Sequence, residues 1–485
     1  MVAQEKTVRT RYAPSPTGFL HIGGARTALF NYVFAKKHHG KFILRIEDTD
    51  EVRNIEGGHI SLDSDLKFLG IFPDESFFNP GSKGPYLQSQ KRERYLEICE
   101  ELINQGKAYR CFCSEKELEE AKNSAIANNA PPFYSRKCRN LTEEEIQAKL
   151  DEDIPYTVRL KVDLKKEYKW KDLVRGEIVF QEHSLQDYVI LRSNKIPTYN
   201  FAVVVDDHDM EINYVLRGEE HISNTPFQLA TYYALGWEDS IPQFGHLSII
   251  VDDDKKKLSK RSANEFHFIS GLDKQGYPPE AIFNFLALLG WSNGEEEIFS
   301  VDKIIRDFNV ESLSPSPAFY DVKKLNWISR KYFQNMSPSH YLNFVKYHFT
   351  VDLGEFNSKK ELFALANKKN IDCAAQLNEM ATTFYAERSL SSENINFLKK
   401  HFQILNYAKD YFPMKSELWN STTIRNYIKQ LMQISGIKGK DFFKPLRLAF
   451  SLLEEGFELV NVMECLGREV IIRNLDSSLS LIKSE

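Results

Sequence analysis

The sequence predicts an α/β fold: an open, mostly parallel sheet, interrupted by an inserted domain and followed by an all-helical C-terminal region. Three observations carry this. Residues 8–33 read as a strand, a turn and an amphipathic helix. Strand-like apolar runs return near residue 200, after a stretch of different character. Past about residue 270 the apolar residues recur at helical spacing.

The first strand is Val8-Arg9-Thr10-Arg11-Tyr12-Ala13, stopped by Pro14 and Pro16. Ala25, Ala28, Leu29, Tyr32 and Val33 then share one helix face. The joining stretch, SPTGFLHIGG, places His21, Gly23 and Gly24 at a helix start. Free backbone N–H groups and the helix dipole favour a phosphate there, glycine lets it approach, and histidine adds a donor. The bland alternative is an ordinary turn with a surface histidine. A second strand, Phe42–Ile46, ends in Glu47-Asp48-Thr49-Asp50, where this fold class places its sites, although a solvated acidic turn is the commoner meaning of such a run. Residues 91–105 read as a helix ending near Gly106. Three close cysteines, a polar stretch over Asn123–Pro132 and a strand-like run at Tyr156–Val162 mark the insertion. Parallel-strand character returns at Ile196–Val205 and Ile212–Leu216, with Asp206, Asp207 and Asp209 between them. Ala281–Trp291, containing Asn284, reads as a buried helix. SPSPA at 314–318 marks a boundary. Ile424, Tyr427, Ile428 and Leu431 form a helix stripe that Gly436 is placed to end, and Leu446, Leu448, Leu452 and Leu453 suggest another helix.

Bulk properties exclude several classes. The chain has 485 residues, which suggests about three domains. Its net charge of −5 gives no bulk attraction to nucleic acid, so any such binding must rest on local basic stretches such as Lys438–Lys444. No apolar run approaches a membrane span and no leader is visible, so a cytoplasmic protein without membrane attachment is expected. Six cysteines in so long a chain argue against a disulfide framework.

The partner of the opening stretch is DDDKKKLSKRSANEF, residues 252–266. Alone, KLSKR is a charged hairpin tip. Paired with HIGG more than two hundred residues earlier, it implies a site built from both halves of a split nucleotide fold.

With both motifs in view, the sequence resembles the class I aminoacyl-tRNA synthetases, their HIGH motif standing as HIGG and KMSKS as KLSKR. The fuller resemblance is to bacterial-type glutamyl-tRNA synthetases. It rests on RYAPSPTGFLHIGGARTALFNY, FILRIEDTD, PTYNFAVVVDDHDMEINYVLRGEEH, FGHLSII and KGKDFFKPLRLAFS, and spans Arg9 to about Asn474. The resemblance implies a Rossmann-type catalytic domain in two halves (1–109 and 191–270), an inserted tRNA acceptor-binding domain (110–190), a helical stem-contact region (271–325) and an all-α anticodon-binding region (326–485). It implies ATP-dependent ligation of L-glutamate to tRNA(Glu) through a glutamyl-adenylate, with Mg2+ on the nucleotide. Some family members also charge tRNA(Gln), and a monomer is usual. Residue by residue, Arg11, Ala13 and Ser15 match the substrate-contacting stretch, Glu47 the acid that receives the amino group, and Tyr199 and Arg217 the pair that, with Arg11, reads the side-chain carboxylate; Asn200 joins this set. The ATP side is matched by His21, Gly23, Gly24, Glu220, Ile250, Lys257, Leu258, Ser259, Lys260 and Arg261, among which His21, Lys257, Ser259, Lys260 and Arg261 carry the catalytic roles. His221 stands where other members have tryptophan.

Cys111 and Cys113, followed by Tyr134 and Cys138, resemble the C-x-C…Y-x-x-x-C zinc site of some relatives, with Tyr134 the candidate fourth ligand because Asn140 stands where some have histidine. Three ordinary reduced cysteines are the alternative. Glutaminyl-tRNA synthetase is the nearest competing assignment, but it carries PEPNGYLHIGH and a β-barrel C-terminal part. The shortened relative that glutamylates a tRNA base lacks an anticodon-binding region. A tRNA-binding module without catalysis is opposed by the presence of His21, Glu47, Arg217 and Lys260.

Overall fold

Strand β1 (Arg9–Tyr12) feeds through the proline-rich turn into helix α1 (Ile22–Lys37) and strand β2 (Lys41–Leu44). The computed structural model describes residues 6–49, 54–128, 134–258 and 265–484. The chain forms two compact units. One comprises residues 1–273 and 279–325; the other comprises 274–278 and 326–485.

The first unit is built on a four-stranded parallel sheet in the order β2, β1, Tyr214–Gly218, Gln243–Leu247. The chain runs outward from β1 to β2 and later returns to the other side of β1, so β1 lies at the switch point where a crevice opens beyond the strand ends. Helix α1 is locked to this sheet by a buried asparagine. Asn31 donates from Nδ2 to the Leu216 carbonyl (2.8 Å), and Thr10 Oγ1 donates to the Asn31 carbonyl (2.9 Å).

The insertion contributes a three-stranded antiparallel sheet, Ala108–Cys111, Thr157–Leu160 and Val189–Leu191, and a hairpin of Tyr168–Asp172 with Gly176–Phe180. Its apolar residues Val158, Leu160 and Ile190 share one core with Phe201, Val205, Val215 and Phe244. Its helices Glu115–Ala127 and Glu143–Asp151 bury no residue and are held by capping boxes at Ser114 and Thr142.

One expected strand is a helix. Ile196–Val205 does not join the sheet; Tyr199–Asp209 is α-helical and buries Phe201 through Asp207 without a break. A helix covered on all sides loses the 3.6-residue stripe and reads like a buried strand. Asp206, Asp207 and Asp209 therefore sit on a helix and not in a loop. The SPSPA stretch also differs from expectation: it lies inside the first unit, and its last residue starts the strand Ala318–Phe319, which pairs in parallel with Ile250–Val251. The predicted buried helix is present as Pro279–Leu288. Asn284 within it is satisfied by the Phe299 N–H (2.7 Å) and the Glu297 carbonyl (3.0 Å).

The second unit is helical in all its regular elements among the described residues. Ile424, Tyr427 and Leu431 on Ser421–Ser435 pack with Leu446 and Leu448 on Lys440–Ser451 and Leu475 on Arg468–Ser484. Gly436 ends the first of these helices at φ +66°, the left-handed cap glycine takes most easily. Leu452 does not extend the second helix as expected; it caps it at φ +58°. No described helix is long and apolar enough to cross a membrane.

Candidate active site

A cleft of about 800 Å³ opens beyond the carboxyl ends of β1 and Tyr214–Gly218. Its walls bring together Arg11, Ala13, Ser15, His21, Gly23, Gly24, Glu47, Tyr199, Arg217, Glu220, Ile250, Lys257 and Leu258. Asn200 stands outside that lining; it accepts from Gln228 Nε2 (3.0 Å) and reaches Asn224, which does line the cleft. Ser259, Lys260 and Arg261 lie outside the described residues.

One end of the cleft is the start of α1. His21 is its N-cap, with extended backbone, and Nδ1 accepts the Gly23 N–H (3.2 Å). This leaves Nε2 as the imidazole donor. Gly24 is required for packing: a Cβ there would collide with the Tyr12 hydroxyl. Across the cleft, Ile250–Val251 runs into a turn in which the Asp252 carbonyl accepts from Lys255 and the Asp252 N–H donates to Lys256. Lys257 emerges from this turn 3.6 Å from Glu220.

The other end is polar and buried. Arg11 reaches Asp207 through Nε (3.4 Å) and Nη2 (3.5 Å). Asp207 is shared with Arg45, a fully buried side chain that also lies 3.3 Å from Glu47 and 3.6 Å from Asp206. Burial alone would raise the Asp207 carboxyl, but Arg11 and Arg45 outweigh it and hold it below the usual range. At Glu47 burial prevails over the same two arginines, and the carboxyl is pushed up to about 7.

Arg217 differs from its neighbours. It is 5% exposed, and among the described residues no carboxylate pairs with it. Its Nη2 donates to Thr225 Oγ1 (2.8 Å), its Nε donates to His246 Nε2 (3.2 Å), and Nη1 is buried without a hydrogen-bond partner. The obvious alternatives are engaged elsewhere: Glu219 pairs with Arg175, and Glu220 with Lys257. Burial pulls Arg217 below the usual arginine range, and Arg11 adds to this. An unpaired buried cation is costly, and an anion in contact with it would remove that cost.

Sequence reading did not single out Arg45, Asp172, Thr225 or His246, and left Asp207 as a loop acid. His221 lines the cleft as a neutral ring: burial, then Arg217, pulls it down to about 4, and its Nδ1 accepts from the Tyr199 hydroxyl (3.2 Å) and Asn224 Nδ2 (3.2 Å). The only signal for these residues is chemical type inside the motif-bearing stretches, because their partners are distant in sequence.

A separate cluster lies in the insertion. The Sγ atoms of Cys111, Cys113 and Cys138 lie within 4.8 Å of one another. The Tyr134 hydroxyl is 3.2 Å from Cys111 Sγ and 3.7 Å from Cys113 Sγ. The spacing and donor types suit a four-ligand, thiolate-rich metal site.

Asp207→Asn removes the anion shared by Arg11 and Arg45. Breaking a buried pair costs about 3–5 kcal/mol, so urea denaturation is expected to show a loss of that order; a loss below about 1 kcal/mol would mean the two arginines are compensated without it.

Comparison with known proteins agrees with this arrangement. Residues 7–327 match the family described as tRNA synthetases class I (E and Q), catalytic domain, and residues 344–479 match an anticodon binding domain. The chain is similar to the glutamate--tRNA ligase of Ureaplasma urealyticum, with 46% identity over 98% of this chain and 99% of the relative. It is similar to that of Mycoplasma genitalium at 44%, over 98% of each. The crystal structure of a glutamate tRNA ligase from Elizabethkingia meningosepticum, in complex with its amino acid, superimposes with a TM-score of 0.86 at 31% identity, covering 98% of this chain and 99% of that one. The chain belongs to the class I tRNA synthetases, within the glutamate--tRNA ligase family.

Proposed function

We propose that this chain ligates L-glutamate to tRNA(Glu) at the expense of ATP, and that the buried end of the cleft holds the amino acid. The observation that carries the reading is Arg217, a buried guanidinium that pairs with no carboxylate among the described residues. A glutamate side-chain carboxylate supplies that anion, and arginine's planar fork suits it. Neutral glutamine would leave the cation unpaired, which separates the two substrates more strongly than size alone. Arg11 assists, although Asp207 already balances much of its charge. Tyr199 borders the same pocket. Glu47 receives the substrate ammonium. Asn200 acts from behind, through Asn224.

The α-carboxylate of the bound glutamate attacks the α-phosphorus of ATP and pyrophosphate leaves. A hydroxyl of the 3′-terminal adenosine of the tRNA then takes the acyl group from the adenylate, and AMP leaves. No protein nucleophile is needed; positioning and charge carry the reaction. His21, Gly23 and Gly24 at the N-terminus of α1 receive the phosphates, and Ile250 and Leu258 border the nucleotide with Glu220. Lys257, Ser259, Lys260 and Arg261 bring cations and a hydroxyl to the transferring group. Mg2+ bound with ATP supplies further charge neutralisation on the phosphates. The insertion takes the acceptor end of the tRNA and residues 326–485 its anticodon. The family resemblance supports a monomeric, cytoplasmic enzyme. Cys111, Cys113, Cys138 and Tyr134 would hold one structural zinc, which would cross-link the insertion.

Three outcomes follow from this reading. Arg217→Ala raises the glutamate KM by about a hundredfold or more and narrows the glutamate-to-glutamine ratio of kcat/KM, measured at saturating tRNA; an unchanged ratio removes Arg217 from selectivity. Because Glu47 is raised to about 7, it is protonated below that pH and cannot pair with an ammonium. The glutamate KM should therefore rise about tenfold between pH 8 and pH 6, and Glu47→Gln should flatten that dependence; a wild-type KM flat over the interval would assign the ammonium to another group. Elemental analysis of purified protein should find close to one zinc per chain. Well under one leaves three reduced thiols.

A further inference from the structure

Arg217 is held from behind by two side chains that never reach the cleft. Arg217 and His246 face each other in register on neighbouring strands. Arg217 Nε donates to His246 Nε2 (3.2 Å), and His246 Nδ1 lies 2.5 Å from Asp172 Oδ2. The side chains of His246 and Asp172 are both fully buried. Asp172 ends the first strand of the inserted hairpin, so one support of the arginine comes from outside the parallel sheet.

The geometry fixes where the protons are. A contact of 2.5 Å to a carboxylate needs the proton on Nδ1. Nε2 is then a lone pair, which accepts from Arg217 Nε and lies 3.2 Å from the Thr225 hydroxyl. An imidazolium would set two N–H groups against each other. Burial draws His246 below the ordinary histidine range, which favours the neutral ring; the charged groups facing it are Asp172, Arg217 and Arg175, whose Nε donates to the His246 carbonyl (3.2 Å).

The other oxygen of Asp172 is fully used. Oδ1 accepts the backbone N–H groups of Val174 (3.0 Å), Arg175 (3.1 Å) and His246 (3.0 Å). The carboxylate thus closes the hairpin turn, pins the hairpin to the strand Gln243–Leu247, and sets the tautomer.

We propose that Asp172 and His246 are positioning residues for Arg217: the inserted hairpin fixes the histidine tautomer that aims the arginine, and so helps set amino-acid selectivity. The inference rests on the reading of Arg217 as the contact for the substrate's side-chain carboxylate.

Asp172→Asn tests it with little change of shape. The three backbone N–H groups claim the amide oxygen, so the NH2 group faces His246 Nδ1 and replaces the oxygen to which Trp170 Nε1 donates (3.3 Å). The ring proton must move to Nε2, where it opposes Arg217 Nε–H. The expected result is a glutamate KM raised roughly tenfold or more, with a narrowed glutamate-to-glutamine ratio and an ATP KM unchanged, because a buried donor has lost its acceptor. Histidine-selective 15N NMR of the unaltered protein should show His246 neutral and protonated on Nδ1, and the variant should show Nε2 protonated. A wild-type ring protonated on Nε2 overturns the proposal, and this holds even if the variant fails to fold. So does a variant with the flipped tautomer and unchanged glutamate parameters. Arg217→Ala separates the two levels: no effect from it removes the underlying reading, whereas an effect from it with none from Asp172→Asn overturns the relay alone.

Discussion

Arg45 has no exposure to solvent, and three carboxylates are arranged around it. Burying that charge is permissible only because Asp206 and Asp207, on the helix Tyr199–Asp209, and Glu47, just past β2, are held within reach. The contact therefore ties β2 to a helix more than 150 residues away. Lys91, Tyr95 and Gln88 complete the set on Asp206 (2.8, 2.9 and 2.7 Å), so every member has partners. Such networks add little net stability over an apolar core; what they do is fix geometry. Here the geometry fixed is the floor of the cleft. Arg11 is oriented by Asp207, and Glu47 lines the buried end of the cleft with its charge only partly favoured.

Arg11 and Arg217 differ in how their charge is met, and on the proposed reading that difference sets the selectivity of the site. Arg11 is already balanced, so a ligand there exchanges one set of contacts for another. Arg217 is held by neutral groups, Thr225, His246 and the His221 carbonyl, and among the described residues no carboxylate pairs with it. The two ends of the cleft are thus complementary to two different charges. On the proposed reading, the start of α1, with His21 and two glycines, takes phosphate on its N–H groups, while the deeper end sets the Arg217 guanidinium against a carboxylate and Glu47 against an ammonium.

How much of this was legible depended on the range over which each signal acts. The turn into α1 was legible because Pro14, Pro16, His21 and the glycines act locally. The helix of Ser421–Ser435 was legible because one face is apolar and Gly436 ends it. The helix Tyr199–Asp209 was not, because burial on every side erases its period. Sequence chemistry by itself could not assemble positions 11, 47, 199 and 217; the resemblance did, and the fold brings those four side chains to one cleft. The supporting residues stayed invisible for a plainer reason. Arg45 and Asp207 are 162 residues apart and His246 and Asp172 are 74 apart, and neither pair carries a local pattern. SPSPA misled because prolines mark a chain turning, which a boundary shares with the entry into the short strand that pairs with Ile250–Val251.

The central claim is that an unpaired buried arginine selects a substrate carrying a second carboxylate. The most direct measurement is tRNA-dependent ATP–pyrophosphate exchange by the unaltered protein, with glutamate and glutamine compared as the amino acid. The account predicts exchange with glutamate and a kcat/KM for glutamine lower by roughly a thousandfold or more, as for a site whose buried polar group is left unpaired by the wrong substrate. Comparable rates with the two amino acids would contradict it.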